Sequence, residues 1–177
     1  VLFRSITPRN NGRHQLMFHT ALSLVSLRDG KTRKVALPEA VKMGFPRWSP
    51  DGRWIAFARY KEDGAELWVV NSAAAEARQL TPAILNSVLG LGVGWLPDSR
   101  HLIVNTIVEA RGNPPQAPAV PVGPIIEESY GKVSKVETFQ DLLKSPYDDS
   151  LFEFYATSQL IEVDAADGAT RKIGRPG

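Results

Sequence analysis

One unit occurs twice in this chain. Phe45-Pro46-Arg47-Trp48-Ser49-Pro50-Asp51-Gly52-Arg53-Trp54-Ile55-Ala56-Phe57 is matched by Val93-Gly94-Trp95-Leu96-Pro97-Asp98-Ser99-Arg100-His101-Leu102-Ile103-Val104, with Trp48 and Trp95 47 residues apart and Asp51 and Asp98 likewise. A repeat of that period is a supersecondary unit that cannot bury its own apolar faces and must stack on its neighbours. Its content indicates which unit it is. Pro50 presets φ for a turn and Gly52 accepts a backbone conformation that side chains resist, so a tight hairpin is expected at Ser49-Pro50-Asp51-Gly52. Trp54 to Tyr60 is largely apolar at odd and even positions alike, as in a strand covered on both faces. Lys61 to Gly64 reads as the next turn, Glu66 to Asn71 as a third strand of β-formers, and Ala77 to Leu80 as a short, more polar fourth strand. Four antiparallel strands in about 47 residues make one blade of a β-propeller.

A second echo joins the two ends of the chain. Asp29-Gly30-Lys31-Thr32-Arg33-Lys34-Val35 returns as Asp167-Gly168-Ala169-Thr170-Arg171-Lys172-Ile173, each after an apolar strand, Leu22 to Leu27 and Leu160 to Val163. The Asp-Gly pair supplies the hairpin between a blade's third and fourth strands. An uninterrupted third blade would begin its third strand near residue 113, 47 beyond Glu66, yet that region reads Asn113-Pro114-Pro115-Gln116-Ala117-Pro118. Proline cannot donate to a central strand. The strand signal resumes at Gln159, 93 residues beyond Glu66, which leaves 46 inserted residues between about Glu109 and Ser158. The expected fold is all-β, a partial β-propeller of about two and a half four-stranded antiparallel blades. Residues 1–44 end one blade, 45–81 form a complete one, and 82–177 form a third interrupted by the insertion 109–158. A propeller needs at least four blades, so a fragment of a larger ring is expected.

The insertion has two halves. Residues 111–124 hold five prolines, at 114, 115, 118, 121 and 124, and are expected to be extended. Thr138 then caps a short helix through Phe139, Leu142 and Leu143, and Asp148 and Asp149 open a second with a stripe of Leu151, Phe152 and Tyr155. Ser145-Pro146-Tyr147 is expected to link them. Two roles stay open: both stripes dock on the propeller's side or a neighbouring domain, or the arm covers a substrate entrance.

Composition excludes several other classes. Hydrophobic residues make up 43% and charged residues 23%, so a packed core is expected. Lys plus Arg total 21 against 19 acidic residues, with no basic run, and no nucleic-acid partner is expected. No run of about 18 apolar residues marks a membrane span. Cysteine is absent, which excludes disulfides, thiolate metal sites and a cysteine nucleophile. His14, His19 and His101 lack metal-ligand spacing, so no metal and no cofactor is expected. His101 occupies the repeat position of Trp54 and reads as a strand residue.

The insertion carries a family likeness. Arg111-Gly112-Asn113-Pro114-Pro115, Pro121-Val122-Gly123-Pro124, Thr138-Phe139-Gln140-Asp141-Leu142-Leu143-Lys144 and Asp149-Ser150-Leu151-Phe152-Glu153-Phe154-Tyr155-Ala156-Thr157-Ser158-Gln159-Leu160 follow in that order. Together they resemble the propeller of the glutamyl endopeptidase branch of the prolyl oligopeptidase family, and Gln15-Leu16-Met17-Phe18-His19-Thr20 resembles its early strand. The resemblance covers roughly residues 13 to 175. It implies a parent serine peptidase in which the propeller gates access to an α/β-hydrolase domain bearing a Ser, Asp and His triad. The implied partners are the missing blades and that hydrolase domain of the same chain, together with a peptide substrate cut after Glu. Bacterial relatives are often exported and plant ones plastid proteins, but neither address is legible here. The nucleophile elbow Gly-x-Ser-x-Gly is not found in these residues, so no catalytic residue is expected among them. A site that prefers acidic side chains needs a cation, because a buried carboxylate without a partner is costly. Arg111 beside the proline arm is the candidate, against the reading that it is a surface arginine whose neighbour Gly112 permits a turn. The competing function is a stand-alone TolB-like binding propeller, which shares the Trp-Ser-Pro-Asp-Gly blade signature.

Overall fold

A computed structural model of the chain describes residues 6–7, 12–13, 18–44, 46–90, 92–119, 143 and 145–177. Twelve strands and one helix are assigned among them. β1 (Ile6–Thr7) pairs antiparallel with β2 (Gly12–Arg13), and β3 (Ser23–Val25) with β4 (Thr32–Lys34). β5 (Arg47–Trp48), β6 (Trp54–Tyr60), β7 (Ala65–Asn71) and β8 (Glu76–Gln79) form a four-stranded antiparallel sheet in chain order. A second such sheet runs β9 (Gly94–Trp95), β10 (His101–Ile107), β11 (Ser158–Asp164), β12 (Thr170–Ile173), with α1 (Pro146–Ala156) between β10 and β11. The chain is a partial β-propeller with a short-helical insertion.

The local chemistry explains these elements. Ser49, 2% exposed, closes the β5–β6 turn: its Oγ accepts the Trp54 N–H at 3.0 Å and donates to Asp51 Oδ1 at 2.7 Å. Gly52 has φ of 72°, the left-handed conformation expected there. β6 and β7 pair over seven residues from Trp54↔Asn71 to Tyr60↔Ala65. β10 and β11 do so from His101↔Asp164 to Ile107↔Ser158, although about 50 residues separate them in the chain. A seven-residue register survives the insertion because both strands bury the same face, and a one-residue slip of β11 would turn Ile161 and Val163 outward.

Two apolar layers glue the sheets. Leu24 of β3 and Val35, just after β4, share a cluster with Ile55, Phe57 and Val70, to which Val41 and Met43 also belong. On the other side, Ala56, Ala58, Leu67 and Val69 meet Leu102, Val104, Ile161 and Val163. The middle sheet is therefore covered on both sides, as its unbroken apolar pattern requires. The layers are also linked by polar contacts: Trp95 Nε1 donates to the Arg47 carbonyl at 3.0 Å, and Ser99 Oγ accepts the Asp51 N–H at 3.0 Å.

Three expectations change. The strand expected over Leu22 to Leu27 stops at Val25, because Ser26 and Lys31 close a turn (Ser26 N to Lys31 O, 2.9 Å) that leaves Leu27 fully exposed. Ser145-Pro146-Tyr147 is not a linker between helices. Ser145 is the N-cap of α1, its Oγ accepting the Asp148 N–H at 3.2 Å, and Pro146 opens the helix where its missing N–H costs nothing. In the second stripe Leu151 and Tyr155 pack as expected, and Phe154, not foreseen in the stripe, packs with them. The helix expected from Thr138 lies outside the described residues except for Leu143, which is exposed and in no regular element.

Candidate functional site

The third blade is enlarged twice, at the same end. In the middle blade the segment leading into β5 runs beside β6, with Gly44 N–H donating to Ala58 O and Tyr60 N–H to Lys42 O, both at 2.8 Å. The third blade repeats this with Asn86 N–H to Asn105 O (2.9 Å) and Ile107 N–H to Ile84 O (2.8 Å). Ala58 to Asn105 and Tyr60 to Ile107 are displacements of 47, whereas Gly44 to Asn86 and Lys42 to Ile84 are displacements of 42. Five additional residues therefore lie between Asn86 and β9. The longer insertion leaves the sheet after Ile107, next to that loop, and returns at Ser158.

The two insertions pack on each other. Val88 from the short loop and Tyr155 from α1 are buried together, with Leu151 and Phe154 against them. Asn86, 5% exposed, donates its side-chain N–H groups to the carbonyls of Tyr155 (3.0 Å) and Thr157 (3.2 Å). Helix C-terminal carbonyls have no intrahelical partner, so this amide satisfies two acceptors that would otherwise need water. Its Oδ1 accepts the Val88 N–H at 3.2 Å and fixes the loop.

Arg111 lies at the mouth of this assembly. A turn closed by Arg111 N–H to Val108 O (3.1 Å) carries it back over the helix, and Gly112 follows at φ of 72°. The guanidinium carbon stands 4.4 Å from the Phe154 ring centroid and 5.5 Å from that of Tyr155, whose rings meet edge to face at 5.1 Å. Such stacking contributes about 0.5–2 kcal/mol, depending on desolvation. Burial pushes the Arg111 guanidinium below its ordinary value, opposed by Tyr155; an arginine nonetheless stays charged at neutral pH. Arg111, Val108, Pro115, Phe154 and the exposed Glu153 line an open cleft of about 390 Å³. The site is thus a cation on an aromatic platform beside a solvated carboxylate. Gly112 takes a turn conformation, and Arg111 is half-buried against the Phe154 and Tyr155 rings of α1. Asn86 and Val88 were not singled out in the sequence. The change from a displacement of 47 to one of 42 shows only once the strands are paired.

His101 lies in β10, as its repeat position required, at the opposite end of the sheet. Its Nδ1 is 2.5 Å from Asp98 Oδ2 and its Nε2 3.8 Å from Asp164 Oδ2, while Arg100 Nε donates to Asp164 at 2.7 Å. The hydrogen bond to Asp98 raises the His101 pKa, and the same bond with two backbone N–H groups holds Asp98 down to about 2. This cluster ties the β9–β10 turn to β11.

No protein-family model matches the chain. Over 182 residues it is 40% identical to an Oryza sativa subsp. japonica protein named "Probable glutamyl endopeptidase, chloroplastic", covering 94% of this chain and 19% of that protein. It is 36% identical over 180 residues to the Arabidopsis thaliana protein of the same name, covering 94% and 18%. Among solved structures, Pyrococcus horikoshii acylaminoacyl peptidase aligns with 88% of this chain and 20% of its own, at 19% identity and a TM-score of 0.47. A putative TolB from Agrobacterium tumefaciens aligns with 86% and 40%, at 14% identity and a TM-score of 0.42. The chain spans about a fifth of the length of the curated relatives it matches. Identity along nearly the whole chain, joined to blades that repeat in sequence and in hydrogen bonding, places it in the prolyl oligopeptidase family of serine peptidases, as a segment of the β-propeller.

Proposed function

We propose that this segment gates substrate access in a glutamyl endopeptidase-like serine peptidase, contributing no catalytic group and working with further blades and an α/β-hydrolase domain of the same polypeptide. The carrying observation is the double insertion at one end of the third blade. A blade needs only a tight turn there, and Lys61 to Gly64 closes the same end of the middle blade with one hydrogen bond, Lys61 N–H to Gly64 O at 2.8 Å. Extra chain packed into a platform, beside a cleft with a cation, supports a role in selecting what passes.

The test replaces residues 108–157 with the Lys-Glu-Asp-Gly turn of the middle blade, in the full-length protein. Cleavage of short chromogenic peptides is expected to persist, while discrimination against long polypeptides relaxes by about tenfold in kcat/KM. Unchanged selectivity by substrate length sinks the gating role. Within the same reading, Arg111 is the cation that would hold an acidic side chain. Stacking engages the face of a guanidinium and carboxylates bind its edge, so anchoring α1 and binding substrate are compatible. Arg111→Ala is expected to lower the preference for Glu over Ala substrates; an unaltered preference leaves Arg111 an anchor of α1 alone.

A further inference from the structure

The blades are strapped together by a repeated arginine. In three third-to-fourth-strand turns an N–H donates to the carbonyl four residues back: Gly30 to Ser26 (2.9 Å), Ala75 to Asn71 (2.8 Å) and Gly168 to Asp164 (2.8 Å). Seven residues beyond each acceptor stands an arginine: Arg33 on β4, Arg78 on β8 and Arg171 on β12. Arg33 reaches into the next blade, donating through Nη1 to the Ala73 carbonyl and through Nη2 to that of Ser72 at 2.9 Å. Arg78 does the same one blade on, donating to the Ala165 carbonyl while stacking over Trp54 at 5.8 Å. Ser72 and Ala165 are equivalent, each one residue past its turn acceptor. A guanidinium that reaches main-chain carbonyls ties blades together whatever side chains the turn carries.

Arg171 holds the same place on the third blade. Its side chain is 69% exposed, and its Nε and Nη2 donate to Glu162 at 3.4 and 2.8 Å. Among the described residues, the two faces of its sheet are unequally buried. Leu102, Val104, Ile161 and Val163 are buried against the middle blade, whereas Ile103, Ile107, Leu160 and Glu162 on the other face are half-exposed. Their equivalents in the middle blade, Ala56, Tyr60, Leu67 and Val69, are all buried in the layer shared with the next blade.

We propose that Arg171 is the strap of the third blade, donating to main-chain carbonyls in the third-to-fourth-strand turn of the blade that adjoins this face. The proposal rests on the reading of the chain as a propeller segment of a larger protein. It continues an interface seen twice in the structure, with the same residue at the same register. Glu162, standing where the middle blade has Val69, keeps Arg171 aligned and supplies the partner that a charge needs once the face is covered. Nη1, not engaged with Glu162, is the donor left to reach the turn.

The test compares Arg78→Met, Arg171→Met, Glu162→Gln and the Glu162→Gln/Arg171→Met double variant of the full-length protein by amide hydrogen exchange. Loss of a strap should speed exchange of the fourth strand that carries it, β8 for Arg78 and β12 for Arg171, by about tenfold. The β12 effect should persist in the Glu162→Gln background and be independent of protein concentration. If Arg171→Met has no effect once Glu162 is neutralised, the arginine serves only that surface pair and the proposal is overturned. A dependence on concentration would assign the face to a second copy and overturn it equally. Substrate selectivity is not read here, so failure of the gating role and failure of the strap are separable.

Discussion

At the scale of single residues, the turn chemistry of the blade is the most legible layer. Ser49, Pro50, Asp51 and Gly52 each do what their type predicts, because a tight turn is a local object in which a hydroxyl, a fixed φ and a missing Cβ act on neighbouring atoms. Ser49→Ala should leave the Trp54 N–H without its partner and lower stability by about 1–2 kcal/mol in a denaturant melt, while Ser49→Thr should retain part of it. The repeat equivalent of Gly52 is less legible. Ser99 adopts φ of 60°, a conformation side chains resist, and its Oγ accepts the Asp51 N–H of the adjoining blade. Nothing in a Pro-Asp-Ser tripeptide announces that partner. His101 behaves likewise: its strand position follows from the repeat, but its carboxylate neighbours Asp98 and Asp164 are assembled by the pairing of β10 with β11. Because the folded state raises the His101 pKa above 6.5, its contribution is full below that value and fades as the pH rises through the raised one. His101→Gln should therefore destabilise the protein near pH 5.5 and be nearly neutral near pH 9, as read by melts across that range. Asp98, held down to about 2, contributes above its ordinary 3.8 and loses that contribution as pH falls toward 2.

At the scale of elements, β6 begins and ends at the residues its pattern marks out, and β7 begins one residue earlier than expected. A strand apolar on both faces leaves little freedom in its limits, since each end is set by a turn. Phe57, 1% exposed and between two sheets, illustrates the energetic weight: Phe57→Ala should cost about 3–5 kcal/mol by denaturant titration. Gly64 carries a different lesson. In the sequence it is a turn glycine, yet it is not at positive φ; a Cβ there would lie 2.8 Å from both the Cβ and the carbonyl oxygen of Ala83. Gly64→Ala should cost about 1–3 kcal/mol through that overlap, and a neutral result in a thermal melt would mean that the 81–85 segment can move aside. Helix α1 shows where pattern reading stops. Its acidic first turn and apolar stripe were visible, but whether Ser145-Pro146 ends one helix or begins the next is decided by where the Ser145 hydroxyl finds an N–H, and both roles suit that dipeptide.

At the scale of the whole molecule, the two apolar layers are shared between blades, so no blade is a stable unit alone. The 177-residue chain in isolation should self-associate through its half-exposed β10–β11 face and strand edges, giving sedimentation coefficients that rise with concentration. A monodisperse, cooperatively melting monomer would contradict this. What the amino-acid order settles is local and periodic: a 47-residue repeat, turns written in Pro, Asp and Gly, and strands whose apolar pattern states how many faces they hide. Contacts made across blades belong to the folded chain. Arg33, Arg78 and Arg171 look like ordinary polar residues of short fourth strands, and Asn86 like a loop residue, until pairing of distant strands brings carbonyls within their reach. Spacing along a chain encodes which residues share a face, but the distance between two faces exists only after they pack.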